Sequence, residues 1–122
     1  MPRNRDESRK GIKLSGSCCV ICGWNKVDIN GVLLVEGAHV RPFKNQSDLD
    51  TYENIIGLCP NHHVEFDRGN IAILPKKKIV IHIDKDDEYH LKKLVGNIDH
   101  IKEGYFSYHM RHVFKGKEDE VK

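Results

Sequence analysis

The segment Asn54-Ile-Ile-Gly-Leu-Cys-Pro-Asn-His-His-Val-Glu-Phe-Asp-Arg-Gly69 decides how this chain is read. Ile55 to Leu58 is short and apolar with two β-branched residues, which predicts a strand. Pro60 suits the first position of a helix, where its missing N–H would be unpaired in any case. Gly69 ends the pattern, because the residue after a helix often takes positive φ. A strand followed by a helix over residues 60 to 68 is therefore expected. That short helix gathers Cys59 and His62 in a Cys-x-x-His pair, a second histidine, His63, and Asp67.

Working outward, a second pair lies upstream, Cys19 and Cys22 in Cys-Val-Ile-Cys-Gly. Zinc favours four thiolate or imidazole donors in a tetrahedron, and each x-x spacing lets one turn present two of them. Cys19, Cys22, Cys59 and His62 are the expected ligands of a structural zinc. Such an ion would clamp the two ends of the intervening strand–loop–strand segment and add on the order of 10 kcal/mol to folding. Cys18 could replace Cys19 at a wider spacing, but the knuckle pattern favours Cys19. Two disulfides are the other reading of four cysteines. The knuckle-like neighbours argue instead for metal-bound thiolates in a reducing, cytoplasmic compartment.

With 122 residues, of which 39% are hydrophobic, the chain fits one domain with a modest core, the kind often stapled by a metal. The net charge of +2 does not announce a nucleic-acid binder. Arg3, Arg5, Arg9, Lys10 and Lys13 make residues 1–17 read as a flexible basic arm. Lys76, Lys77 and Lys78 read equally as a solvated turn or as phosphate contacts. Residues 18–115 form the expected domain, and 116–122 a charged, frayed tail. No stretch has the eighteen or more apolar residues of a membrane helix, and no secretory signal is evident.

Inside the domain, Val32 to Glu36 follows an Asn30-Gly31 turn and reads as a strand. Residues 41 to 53 read as a loop with one helical turn. Ile71–Leu74 and Ile79–Ile83 flank Pro75 and the lysines, a hairpin pattern. Glu88 to Val95 and Tyr105 to Phe114 read as helices. In the second, Phe106, Met110, Val113 and Phe114 sit at helical spacing for packing. Tyr108, His109 and Arg111 read equally as DNA contacts or as a solvated face, and Trp24 as packing beside the knuckle.

If His62 closes the zinc site, His63 points about 100° around the helix and cannot readily serve the same ion. Asp67, four residues on, can share its face. Imidazole with carboxylate suits a divalent metal, although Asp67 reads equally well as a backbone-bonded residue of the helix-ending turn. His39 ends the first strand, where a neutral imidazole can take a proton from water.

The order of these parts resembles the HNH endonucleases. The likeness rests on the knuckle pair, on Glu36-Gly-Ala-His-Val-Arg-Pro42 and on the 54–69 segment, and it covers roughly residues 18 to 74 with a weaker echo in 106–114. It implies an α+β fold: a small ββα-metal core, the His-Me finger, with structural zinc, plus an additional β-hairpin and a C-terminal helix. It implies metal-dependent hydrolysis of DNA, double-stranded by preference, to leave a 5′ phosphate. His39 would be the general base, Asn54 the brace of the loop that carries it, and His63 the holder of the catalytic ion: Mg²⁺, Mn²⁺ or another divalent transition metal. Many members have a carboxylate or histidine just before the base, where this chain has Ala38. The second metal ligand is then Asp67, Glu36, or solvent and phosphate oxygens. Arg41, Lys44 and Arg68 are candidate phosphate contacts. A lone site implies nicking, and a double-strand cut implies a homodimer. Two other readings remain: a zinc-structured DNA-binding module that does not cut, and a ribonuclease using the same site.

Overall fold

A computed structural model of the chain describes residues 4–44 and 47–116, leaving aside the side chain of Ser47. The elements run α1 (Arg5–Leu14), β1 (Glu36–His39), β2 (Ile55–Leu58), α2 (Pro60–Arg68), β3 (Ile71–Leu74), β4 (Ile79–His82) and α3 (Tyr105–His112), with single 3-10 turns at Ser47–Leu49 and Tyr52–Asn54. β1 and β2 form one antiparallel pair and β3 and β4 another. The fold is thus the expected small α+β one: a β-hairpin with α2 packed on it, a second hairpin, and a helix near the C-terminal end.

α2 starts and stops where the sequence requires. Cys59 caps it, its sulfur accepting from the His62 backbone N–H, Pro60 opens it, and Gly69 ends it at φ 88°. Phe66, fully buried, fixes the inner face of α2 among Ile56, Leu58, Ile71 and Val80. Trp24 packs against the same core. α3 buries Phe106 and Met110, with Phe114 just beyond it, and His109 stacks on Phe66 at 3.7 Å between ring centroids.

Three expectations change. Residues 5–14 are a helix, not a flexible arm. The Asn4 side chain caps it, accepting from the N–H groups of Asp6 and Glu7. α1 is too polar to show an apolar stripe, and Gly11 is its one buried residue. That glycine is required, since a Cβ there would lie 2.7 Å from the Ile55 side chain and carbonyl. Glu7 completes the docking by accepting from Thr51 Oγ1 and the Tyr52 N–H.

The first strand runs over Glu36–His39, later than Val32–Glu36. Val32 and Leu34 are exposed, and Leu33 makes only an isolated bridge to Val27. Residues 88–95 are not helical. Their backbone pairs alongside β4 through Val80 N–H to Lys92 O, Leu91 N–H to Val80 O and Leu94 N–H to Lys78 O. Leu91 sits at φ 66°, which a helix would not allow. The tail expected over 116–122 lies, from residue 117 onward, outside the described residues.

Candidate functional site

The knuckle at Cys19–Gly23 turns back on itself through a Gly23 N–H to Cys19 O bond and faces the first turn of α2. One donor atom each from Cys19, Cys22, Cys59 and His62 lies within 4.8 Å of all the others. His62 Nδ1 is 3.6 Å from Cys19 Sγ and 3.3 Å from Cys59 Sγ, and the sulfurs of Cys22 and Cys59 are 3.9 Å apart. Zinc bonds of about 2.0–2.3 Å in a tetrahedron place ligand atoms about 3.3–3.8 Å apart, so the cluster fits that ion. Burial pushes the thiols of Cys19, Cys22 and Cys59 up and the His62 imidazole down. Without a cation the four donors are held neutral, and an ion must displace the thiol protons to bind. Cys18 stands outside the group, its thiol turned to Ser15 O at 3.8 Å.

His63, the next residue, faces elsewhere. Its Nδ1 meets Glu36 Oε1 at 2.7 Å and its Nε2 meets Asp67 Oδ2 at 3.1 Å. Asp67 first, with Glu36, raises the imidazole's affinity for its proton against the opposing effect of burial. Two surface depressions meet at this ring. His39, Pro42, Phe43, His63, Asp67 and His109 line one, whereas Arg5, Ser8, Glu36 and His63 line the other. Asp67 thus shares the His39 side of His63, and Glu36 holds the ring from the far side.

His39 is placed by the hairpin. It is the last residue of β1, opposite Ile55 at the start of β2. Its ring stacks on Phe43 at 5.2 Å, and its Nε2 lies 2.9 Å from Asp50 Oδ1. Asn54, fully buried, ties down the loop that follows: its Oδ1 accepts from Arg41 N–H, and its Nδ2 donates to Arg41 O and Leu49 O. These three bonds account for the whole amide except for one remaining lone pair.

Other expected residues are scattered. The Arg41 guanidinium lies over the Tyr108 ring at 4.3 Å, and Lys44 and Arg68 are exposed. His109 is neither surface face nor DNA contact: it is 2% exposed, and its Nε2–H donates to Phe66 O. Its Nδ1 is buried without a partner among the described residues. Asp50 is the residue sequence reasoning missed. It stands eleven positions from His39 in an irregular loop, at a spacing that signals nothing.

The arrangement comprises a closed tetrahedral cluster, a histidine–carboxylate pair and a second histidine sharing one depression. Residues 19–74 match the family model described as HNH endonuclease. That stretch holds all four cluster residues together with His39, Asn54, His63 and Asp67. Among solved structures the chain is similar to a modification dependent TagI restriction endonuclease, with a TM-score of 0.68 and 23% sequence identity. The alignment covers 91% of this chain and 38% of that one, so the shared part is a fold well short of that protein's length. No curated protein matches. Among the described residues no helix is long and apolar enough to cross a membrane.

Proposed function

We propose that the chain is a metal-dependent endonuclease that hydrolyses phosphodiester bonds in DNA. His39 is its general base, and His63 and Asp67 hold a catalytic divalent metal. The observation that carries this reading is the shared depression: His39 and the His63–Asp67 pair open onto one space, in a segment that matches a nuclease family. Imidazole and carboxylate together suit Mg²⁺, Mn²⁺ or a neighbouring transition ion. Such an ion supplies Lewis acidity to the nonbridging and departing oxygens.

The chain's own residues do the rest. His39 takes the proton from the attacking water, a contribution of about 10²–10⁴-fold for a well-placed base. Glu36 orients His63 from behind, as carboxylates commonly do for metal-bound histidines. Asn54 fixes the loop around Arg41, and Lys44 and Arg68 offer charge to flanking phosphates, positioning the strand without reading its sequence. The zinc cluster keeps α2 against the hairpin. We infer duplex DNA as substrate, nicked by a single protomer; cutting both strands would use two.

The test is plasmid cleavage across divalent metals beside the His39→Ala protein. Wild type is expected to nick with Mg²⁺ or Mn²⁺. His39→Ala is expected to lose about 100-fold or more while keeping its zinc. Salt-sensitive DNA binding with no cleavage in any metal would replace the enzyme by a zinc-structured binding module, and preferential cleavage of RNA would make it a ribonuclease.

A further inference from the structure

On the Glu36 side of His63 the second depression is walled by α1. Arg5, Ser8 and Ile12 face Val35, Glu36 and His63 across it, and it holds about 640 Å³. That is ample for one sugar–phosphate unit, since sites for small ligands span about 300–1,000 Å³. Arg5, Ser8 and Ile12 share one helix face, three and then four residues apart. The face is set by the hairpin: α1 is held by Gly11 against Ile55 and by Glu7 against Thr51 and Tyr52. Both depressions include the His63 ring. A strand lying between His39 and the His63–Asp67 pair can therefore continue past that ring into the second one.

The cations of α1 are not equivalent. Arg9 pairs with Asp6 at 3.8 Å, and the Lys10 ammonium lies over the Tyr52 ring at 3.9 Å. Lys13 is exposed in the last turn. Of these four side chains, Arg5 alone lines the depression, and it is exposed. The carboxylate in the same lining, Glu36, has Oε1 committed to His63 Nδ1 at 2.7 Å. A phosphodiester suits such a lining. The guanidinium fork matches nonbridging oxygens, the Ser8 hydroxyl is a further donor, and Ile12 offers apolar surface to a sugar.

We propose that Arg5 holds the phosphate next to the one being cut, in a depression that α1 adds to the catalytic one. The inference rests on the nuclease reading above. Arg5 lies outside the matched segment 19–74, so the contact belongs to the helix that precedes the nuclease motif. It positions the strand and reads no base.

The test uses the full chain loaded with zinc. Binding of a labelled short duplex is followed against salt, without added Mg²⁺ or Mn²⁺, for wild type, Arg5→Ala and Arg9→Ala. Both substitutions change exposed side chains, and both proteins are expected to melt with wild type. Arg5→Ala is expected to bind roughly 10-fold more weakly, the loss of one charge-assisted contact. Its slope of log affinity against log salt should be shallower by about 0.9, the value of one phosphate. Arg9→Ala should keep the wild-type slope. Next, each phosphate beside a mapped nick is replaced in turn by a neutral methylphosphonate, and nicking is measured with Mn²⁺. At one adjacent position wild type should lose roughly 10-fold in kcat/KM, whereas Arg5→Ala loses nothing further.

Equal slopes for wild type and Arg5→Ala overturn the proposal. So does an equal change in both variants, which would mean diffuse charge, or methylphosphonate losses that add to the Arg5→Ala loss at every position. A wild type that nicks in no metal brings down the nuclease reading, and the salt slopes then still decide whether Arg5 holds a phosphate. A wild type that does not bind DNA brings down both.

Discussion

His62 and His63 are neighbours in the chain and opposites in their surroundings. His62 is 9% exposed, points Nδ1 at two sulfurs, and has its imidazole kept neutral by burial. His63 is half-buried, has a carboxylate at each ring nitrogen, and is biased toward the charged form. One residue of helical rotation separates a closed site from an open one. Four protein donors saturate a structural ion, whereas a working ion needs room for water and substrate. α2 carries both histidines on a single turn.

The largest effect should come from attacking the closed half. Structural zinc is worth on the order of 10 kcal/mol, comparable with the whole stability of a domain at about 5–15 kcal/mol. Cys22→Ser is expected to abolish cooperative thermal unfolding and bound zinc together, while His63→Ala keeps one zinc per chain and an unchanged melt. A Cys22→Ser protein melting within a few degrees of wild type would break the comparison.

Between the halves stands Asn54. Truncation in Asn54→Ala leaves one N–H and two carbonyls buried without partners, at about 1–3 kcal/mol for each unsatisfied group. A fall in melting temperature of roughly 10 °C or more is expected, with zinc retained and nicking reduced. Scanning calorimetry and metal analysis check it.

The finest distinction concerns the two carboxylates on His63. With Asp67 as ligand and Glu36 as orienting partner, Asp67→Ala should raise the Mn²⁺ needed for half-maximal nicking by about 100-fold or more. Glu36→Gln should raise it by roughly 10-fold. The reverse order would exchange the two roles.

What the sequence disclosed was whatever is written in local spacing. The four cluster residues follow from two x-x pairs, and α2 from Pro60 and Gly69. The packing face of α3 follows from the spacing of Phe106, Met110 and Phe114. What it concealed depends on contacts between distant segments. α1 is held by Gly11 against Ile55 and by Glu7 against Thr51 and Tyr52, none of which produces an apolar period. Residues 88–95 have helix-like apolar spacing in Tyr89, Leu91, Leu94 and Val95, but their backbone finds its partners along β4. Asp50 meets His39 only because a loop folds back, and Glu36 stands out among the acidic residues only once β1 is seen to bring it to His63. The sequence could name chemically distinctive side chains; an ordinary aspartate waits for the fold.

The shared turn of α2 also bears on how an inhibition assay must be interpreted. Cys59 and His62 belong to the very stretch of backbone from which His63 projects, so a chelator strong enough to extract zinc from the cluster would dismantle the platform for the proposed second ion as well. Loss of nicking in EDTA would thus report collapse as readily as removal of a cofactor. Only restoring Mn²⁺ or Mg²⁺ to protein whose zinc has been kept in place separates the two.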